Sequence, residues 1–470
     1  MKPFRVRFAP SPTGVPHIGN TRTALFDWLL ARQTGGQFIV RVEDTDRSRY
    51  QPESLEKILE ILGFLGLSWD EGPKVGGPYQ PYFQSQRLKR YQEVAQKLID
   101  GGAAYYCFCS SDRLGNLRQE QKAAGQIPRY DRHCLSLSKS EIEKKKKAGQ
   151  YVVRLKMPDN QNFIWTDLVQ GRIAINSKDL DDQVLLKSDG FPTYHLAVVV
   201  DDHDMEVSHI VRGVEWISST PKHLFLYQSL GWQIPQIMHL PLILGPDKTK
   251  LSKRHGAKSV LDYRDEGYLK EALINFMVYL GWSYQDNSKL LSLEELVEVF
   301  DYKKIQKQNA VFDIKKLDWF NGCYIRMKSD KELAKLLKPF APSGVNESLL
   351  IKITPLIKDR MVKLSEFESL AGFFFEAPKV TGDFLAKKIK GDYKNYLEKA
   401  AQTLQPIEDW QEKEITSRLM GLIEENNWPT GDFFMALRIA IAGSCYTPPI
   451  NDSMVVLGKE RVLKRIGALL

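Results

Sequence analysis

The chain has 470 residues, of which 43% are hydrophobic and 26% are charged, the proportions of an ordinary globular protein. This length exceeds that of one ordinary domain, so we expect a multi-domain protein. No apolar run reaches the roughly 18 to 20 residues of a membrane span, and Pro and Gly interrupt the N-terminus before a signal-peptide core. The net charge of +8 suits a polyanionic partner but is also common on solvated surfaces. We expect a cytoplasmic protein that does not enter a membrane.

The N-terminal residues have the pattern of a β-α-β unit. Alternating apolar residues predict a strand over 4–8, and a Pro/Gly turn at 10–14 ends it. A helix is predicted from about His17 to the glycine pair at 35–36, followed by a second strand over 38–42. Such a unit implies a right-handed crossover onto a parallel sheet. Ligands of such sheets lie beyond the carboxyl ends of the strands, where this Pro/Gly turn is.

The character of the sequence changes at about residue 84. A helix, a cysteine-rich segment and short strands follow to about residue 190, and we predict that 84–190 is an insertion within the sheet domain. The lysine run at 144–147 is predicted to be a loop. Further strands are predicted at 197–200 and 239–244. Helix-period segments then dominate, and 330–470 contains almost nothing else.

Two short motifs predict a site for a nucleoside triphosphate. His17 begins a helix after a strand and a turn, where backbone amides and the helix dipole favour phosphate, and Gly19 allows a ligand to approach the backbone closely. Lys250 and Lys253 follow an apolar strand, three residues apart, and can both face one polyphosphate. Alone, the first motif also fits a helix cap and the second a solvated loop. Together, each at a strand end, they favour phosphate chemistry.

The residues around these motifs resemble the class I aminoacyl-tRNA synthetases, and in detail the bacterial glutamyl-tRNA synthetase family. The resemblance covers essentially the whole chain, although the C-terminal part is matched mainly by its architecture. The stretches that carry it are 7–20, 41–46, 70–73, 192–197, 200–203, 210–213 and 250–254.

This resemblance implies the fold. We expect an α/β Rossmann-like parallel-sheet catalytic domain with an inserted α+β acceptor-binding domain, followed by an all-α C-terminal anticodon-binding region. The implied boundaries are 1–83 and 191–242 for the catalytic domain, 84–190 for the insertion, 243–328 for the ATP-signature loop with a stem-contact helical domain, and 329–470 for the anticodon-binding domain.

The resemblance also implies the reaction. The carboxylate of L-glutamate attacks the α-phosphorus of ATP, which carries Mg²⁺, and the resulting glutamyl-adenylate passes its glutamate to the 3′ end of tRNA-Glu. Positioning and charge neutralisation suffice for this chemistry. Members of the family typically need the tRNA bound before activation proceeds. The implied catalytic residues are His17, Lys250 and Lys253. The implied ATP-binding residues are Pro10, Ser11, Thr13, Gly14, His17, Gly19, Asn20, Lys250, Leu251, Ser252, Lys253 and Arg254.

A glutamate substrate carries two carboxylates and one ammonium, so its site needs two cations and one anion. Arg7 and Arg212 at strand ends are suitable cations, and Glu43 at the end of the next strand is a suitable anion. Val198 departs from some relatives, which have Asn there. By resemblance the complete glutamate site comprises Arg7, Ala9, Ser11, Glu43, Tyr194, Val198 and Arg212.

Three of the five cysteines lie close together in the sequence, and so sparse and odd a number argues against a disulfide framework. Zinc usually takes four Cys or His ligands, and Cys107, Cys109 and Cys134 supply three. In some relatives a His two residues after the last Cys completes a zinc site, but here that residue is Ser136. Tyr130 or His133 would then be the fourth ligand. The alternative is three thiols without a metal.

The resemblance assigns the acceptor end of the tRNA to the insertion and the anticodon to the C-terminal helices. Arg360 is the candidate anticodon-reading residue, because single-stranded bases are read by stacking and by Arg or Lys hydrogen bonds. We expect a monomer. The alternatives are an enzyme that also, or only, glutamylates tRNA-Gln, a paralogue that modifies a tRNA base, a small-molecule nucleotidyltransferase, and a non-catalytic RNA-binding module.

Overall fold

The computed structural model describes residues 2–251 and 258–470. The chain divides into two compact units. The N-terminal unit comprises Met1–Leu261 with Ile274–Asp313, and the C-terminal unit comprises Asp262–Leu273 with Ile314–Leu470. None of the helices in the described part of the chain is long and apolar enough to cross a membrane. The four domain boundaries predicted from the sequence stay predictions.

The strands and helices are defined here in chain order. The strands are β1 Arg5–Phe8, β2 Gln37–Val40, β3 Ala104–Cys107, β4 Val152–Leu155, β5 Asn162–Asp167, β6 Gly171–Asn176, β7 Val184–Leu186, β8 His209–Gly213, β9 Gln236–Leu240, β10 Ile243–Leu244 and β11 Ala310–Val311. The first ten helices are α1 Ile18–Thr34, α2 Pro52–Leu65, α3 Leu88–Asp100, α4 Ser111–Ala123, α5 Lys139–Ala148, α6 Tyr194–Asp204, α7 Thr220–Leu230, α8 Val260–Asp265, α9 Lys270–Tyr279 and α10 Leu293–Val299. The remaining helices are α11 Ile314–Met327, α12 Asp330–Leu337, α13 Glu347–Ile357, α14 Phe367–Ala371, α15 Gly382–Lys388, α16 Tyr393–Leu404, α17 Glu412–Glu425, α18 Thr430–Ala442, α19 Ile450–Leu457 and α20 Lys459–Gly467.

Parallel pairing organises two adjoining sheets of the N-terminal unit, one of β1 and β2 and one of β6, β5, β9 and β8. β1 pairs in parallel with β2, β8 with β9, and β5 with β9, while β6 is antiparallel to β5. The N–H of Ser208 donates to the carbonyl of Arg5 at 2.9 Å and sets the start of β8 beside β1. The carboxyl ends of these parallel strands therefore lie at one edge of the sheet. β3, β4 and β7 form a separate antiparallel sheet.

The predicted β-α-β unit at the N-terminus is confirmed as β1-α1-β2. His17 caps α1, and the helix ends at Gly35. A Cβ on Gly36 would lie 1.9 Å from the carbonyl oxygen of Phe4, so only glycine permits this close return of the chain to β1.

Two local predictions are wrong. Residues 197–200, predicted to be a strand, lie within α6 and are buried. A short run of buried apolar residues suits a strand and a buried helix equally, so periodicity could not decide. The lysine run at 144–147, predicted to be a loop, lies in α5. Ser138 and Glu141 form a capping box that starts this helix.

The regular elements described in the C-terminal unit are all helices, as predicted for this part of the chain. Its helices bury apolar residues such as Leu333, Leu397 and Ile466. The buried side chain of Asn321 connects α11 to two other segments of this unit. Its amide donates to the carbonyls of Gly267 and Val362, and its oxygen accepts from the Leu269 N–H.

Candidate active site

A cleft of about 1050 Å³ opens in the N-terminal unit at the carboxyl ends of β1, β2 and β8. This is the edge at which parallel sheets bind their ligands. The start of α1 and the segment after β10 also line it. Of the predicted ATP-binding residues, those that line the cleft are Pro10, Ser11, Thr13, Gly14, His17, Gly19, Asn20, Lys250 and Leu251.

The imidazole of His17 is held in one orientation by the backbone that follows it. Its Nδ1 accepts a hydrogen bond from the Gly19 N–H at 3.0 Å. Burial lowers the pKa of His17, and the nearby Lys250 ammonium lowers it further. The ring is therefore neutral at pH 7 and carries its proton on Nε2, as a donor. A Cβ on Gly19 would lie 2.8 Å from the His17 ring, so glycine makes room for this imidazole as well as for a ligand.

Lys250 lines the same cleft with an exposed side chain, and its ammonium lies 3.3 Å from a carboxylate oxygen of Glu215. An ion pair this exposed stabilises the fold little, so Lys250 can exchange Glu215 for a phosphate. Ser252, Lys253 and Arg254 lie outside the described residues.

Arg7 lies at the base of the cleft, 4% exposed. Its Nε donates to Asp202 at 3.0 Å, and its Nη1 donates to the carbonyl of Val211 at 3.3 Å. Arg41 donates to the same carboxylate oxygen of Asp202 at 2.6 Å. Asp202 thus partly neutralises two guanidinium groups. Asp202 lies in the stretch 200–203 that carries the family resemblance, but the sequence alone predicts no role for it.

Glu43 lies at the cleft just beyond the end of β2. Arg41 donates to its carboxylate at 3.1 Å. Burial raises the pKa of Glu43 to about 7, although Arg41 and Arg7 act in the opposite direction. This carboxyl group therefore titrates near neutrality, where a bound ammonium would favour its ionised form.

Arg212, in β8, has a different environment from Arg7. Within the described residues its guanidinium has no carboxylate partner. It donates instead to the neutral groups of His239, His223, Thr220 and Tyr194, at 3.1, 3.0, 2.8 and 3.5 Å. The Tyr194 ring also packs against Trp216, with ring centroids 4.3 Å apart. Arg212 is a cation whose counter-charge the described part of the chain does not supply directly.

The other predicted glutamate-site residues separate into two groups. Ala9 and Ser11 line the cleft, and the hydroxyl of Ser11 donates to the carbonyl of Glu43 at 3.0 Å. Val198, on α6, is 2% exposed and packs in the apolar core, and it is not among the residues that line the cleft.

Several residues at the cleft were not found from the sequence. Asp27, on α1, is fully buried, lines the cleft, and has no hydrogen-bond partner for either carboxylate oxygen among the described residues. Burial raises the pKa of Asp27 well above its usual range. The one available signal was an acidic residue on an otherwise apolar helix. His223 and His239 do not line the cleft but contact Arg212, and they gave no local signal, because each lies in an apolar segment with an ordinary pattern.

The cysteines of the insertion form a second candidate site. The sulfur atoms of Cys107, Cys109 and Cys134 lie within 4.8 Å of one another. The Cys109 and Cys134 sulfurs are 3.6 Å apart, and the Tyr130 hydroxyl is 3.4 Å from Cys109 Sγ. His133 is exposed and does not belong to this group. The hydroxyl of Ser136 donates to the carbonyl of His133 at 2.8 Å.

Arg360 lies in the C-terminal unit, in a short 3-10 helix at Lys358–Arg360, and is exposed. Its role in reading the anticodon stays a prediction.

Two family matches cover most of the chain. Residues 3–319 match the family described as tRNA synthetases class I (E and Q), catalytic domain, and residues 332–470 match an anticodon binding domain. The chain therefore belongs to the class I tRNA synthetases of this family, as predicted.

Within the family the chain is similar to proteins named glutamate–tRNA ligase. It is 46% identical to one from Dehalococcoides mccartyi over 98% of this chain and 97% of that protein, and 43% identical to one from Treponema denticola over 98% of both. It also matches the crystal structure of a glutamate tRNA ligase from Elizabethkingia meningosepticum in complex with its amino acid, with a TM-score of 0.92 and 35% identity over 99% of both chains. This match confirms the predicted fold, a parallel-sheet catalytic domain followed by a mostly helical C-terminal region.

Proposed function

We propose that the chain is a glutamate–tRNA ligase, which uses ATP to convert L-glutamate to glutamyl-adenylate and transfers the glutamate to the 3′ end of tRNA-Glu. The similarity to proteins of that name over nearly their whole length supports the reaction. The observation that carries the choice of amino acid is Arg212, a buried guanidinium at the cleft without a carboxylate partner among the described residues. A substrate with an acidic side chain supplies that partner.

The phosphates of ATP lie at the start of α1 in this proposal. Backbone amides and the helix dipole favour them there, and the Nε2–H of His17 donates to them. Lys250 and Lys253 neutralise the charge that develops on the leaving pyrophosphate. The glutamate carboxylate then attacks the α-phosphorus in line, a step that positioning and electrostatics suffice to accelerate. ATP and Mg²⁺ are the usual requirements of class I synthetases.

The amino acid lies at the other end of the cleft. Arg212 receives the side-chain carboxylate, and Glu43 receives the α-ammonium. Arg7, already paired with Asp202, adds positive potential at the base of the cleft. The polar wall that an Asn at position 198 provides in some relatives is replaced here by a buried valine.

The tRNA contacts are assigned by region. The insertion, 84–190, holds the acceptor end, and the C-terminal helices read the anticodon with Arg360 as one reader. Residues 332–470 match an anticodon binding domain, which argues against a base-modifying paralogue that lacks this half. A small-molecule nucleotidyltransferase would not need this region either. We propose that the enzyme is a monomer.

Charging assays with purified tRNA-Glu and tRNA-Gln test the function. We expect ATP-dependent attachment of glutamate to tRNA-Glu, and loss of glutamate use in Arg212→Leu. An Arg418→Leu variant is the control, since Arg418 is exposed, pairs with Glu414 and does not line the cleft. Transfer to tRNA-Gln as well, or only, identifies the broader or redirected enzyme. If glutamate is attached to neither tRNA, the proposal is wrong.

We also propose that the insertion holds a structural zinc ion. Tetrahedral Zn–S bonds of about 2.3 Å place two sulfurs about 3.8 Å apart, close to the 3.6 Å between Cys109 and Cys134. The Tyr130 hydroxyl completes the ligand set. None of these residues lines the cleft, so the metal would stabilise the insertion and take no part in the reaction.

A further inference from the structure

A chain of buried hydrogen bonds runs through Arg212 and leads away from the cleft on both sides. On one side Arg212 Nε contacts His239 Nε2 at 3.1 Å, and His239 Nδ1 contacts Asp167 Oδ2 at 2.6 Å. On the other side Arg212 Nη1 contacts His223 Nδ1 at 3.0 Å, and His223 Nε2 contacts His195 Nδ1 at 3.0 Å. We name these five residues the arginine network.

Elementary donor and acceptor rules assign every proton in this network. A guanidinium can only donate, so the nitrogen atoms of His239 and His223 that face Arg212 must both accept. His239 therefore carries its proton on Nδ1 and donates it to Asp167. His223 carries its proton on Nε2 and donates it to His195. Each histidine has one permitted tautomer.

The network holds Arg212 without neutralising it. The side chains of Asp167 and His239 are completely buried, and His223 is 3% exposed. Burial lowers the pKa of His223 well below its usual range and, with Lys222 and Arg212 nearby, that of His195 to about 4. Burial also lowers the pKa of His239. Two neutral imidazoles, those of His239 and His223, thus contact and orient the guanidinium, and the carboxylate of Asp167 is kept one imidazole away from it. Arg7 and Arg41, in contrast, donate directly to Asp202.

We propose that Asp167, His239 and His223 are positioning residues that set the specificity for an acidic amino acid, by holding Arg212 oriented while leaving its charge for the substrate carboxylate. This inference rests on the proposed function. If a carboxylate contacted Arg212 directly, it would compete with the substrate. If an imidazole carried its proton on the other nitrogen, an N–H would face an N–H and turn the guanidinium away.

Asp167→Asn is the sharpest test, because the structure dictates how the amide must lie. Asp167 Oδ1 accepts three backbone N–H groups, from Val169, Gln170 and His239, at 3.0, 2.8 and 3.2 Å. The amide oxygen of Asn must keep these contacts, so its NH₂ faces His239 Nδ1. That ring nitrogen must then accept, and the proton moves to Nε2, opposite Arg212 Nε–H.

In tRNA-Glu charging assays we expect Asp167→Asn to raise the KM for glutamate about tenfold or more, with the KM for ATP and kcat within about threefold. Discrimination against glutamine should fall. Adding His239→Gln to Asp167→Asn should bring the KM for glutamate back towards the wild-type value. The Gln side-chain oxygen can accept from Arg212 even when the amide at position 167 also donates to it. The control is His203→Gln, a histidine of α6 that stacks on Trp232 outside the network.

A second pair of variants keeps the test independent of the folding of Asp167→Asn. His223→Asn retains an acceptor near the Nδ1 position, and His223→Leu of similar size does not, so only the leucine variant should raise the KM for glutamate. A KM for glutamate within about twofold of wild type in both Asp167→Asn and His223→Leu overturns the network. Wild-type protein without glutamate-dependent charging would instead overturn the proposed function, which distinguishes the two failures.

Discussion

Arg41 donates a hydrogen bond to the carboxylate of Glu43 at 3.1 Å, and yet burial raises the pKa of Glu43 to about 7. The guanidinium is shared, because Arg41 also donates to Asp202 at 2.6 Å. In the free protein, Glu43 is thus a carboxyl group that changes between its protonated and ionised forms near pH 7. A ligand ammonium is the group that would complete its charge balance.

The first prediction concerns pH. An ionised Glu43 attracts the α-ammonium and a protonated one does not, so kcat/KM for glutamate should rise as pH increases through about 7 and then level off. Glu43→Gln should lower kcat/KM for glutamate by about tenfold or more and abolish its rise with pH. Steady-state charging assays from pH 5.5 to 9 measure both. If kcat/KM still rises with pH in Glu43→Gln, the titrating group is a residue other than Glu43.

The second prediction concerns Asp27 and stability. Its pKa is raised in the folded protein, so the folded state holds a proton that the unfolded chain has released, and the free energy of unfolding falls as pH rises above the ordinary carboxyl range. Asp27→Asn should remove this decline and exceed the wild type by about 1 kcal/mol at pH 8. Denaturant unfolding at pH 5 and pH 8 measures it. Asp100→Asn, which changes an exposed carboxylate on α3, is the control. If the free energy of unfolding changes equally between pH 5 and pH 8 in Asp27→Asn and in wild type, the prediction is wrong.

The third prediction concerns the lysines after β10. Lys253→Ala should lower adenylate formation by at least about two orders of magnitude, while tRNA binding stays within a few fold, because this lysine is proposed to act on the leaving pyrophosphate. Pyrophosphate exchange in the presence of tRNA and a separate tRNA-binding assay measure the two effects. Lys248→Ala, five residues earlier in the sequence and not lining the cleft, should behave as wild type. Near-normal exchange in Lys253→Ala would refute the assigned role.

The fourth prediction concerns zinc. Protein purified without chelators should contain about one equivalent of zinc, and Cys109→Ser should contain almost none. Tyr130→Phe should bind the metal more weakly, because the phenol oxygen is the proposed fourth ligand. Cys323→Ser, in the C-terminal unit, should keep the wild-type content. Elemental analysis decides: fewer than about 0.2 equivalents in the wild type would mean three free thiols.

Much of the fold follows from local patterns. The alternation at 4–8, the turn at 10–14 and the glycines at 35–36 predict β1, α1 and its end, because each signal acts within a few residues. The run at 197–200 misled for the same reason. Its burial on all sides comes from packing in the core, and four apolar residues do not reveal whether a helix or a strand is packed there.

By itself the sequence determined the family and the types of charge that the proposed reaction needs. Local sequence patterns predict the ends of the strands and helices near which four of these charged or polar residues lie, namely Arg7, His17, Glu43 and Arg212. Only the tertiary structure decided which of these charges is neutralised. Asp202 reaches Arg7 from a helix distant in the sequence, while His223 and His239 meet Arg212 in the buried interior. Charge depends on such neighbours and on exclusion of water, and both arise only when distant segments pack together.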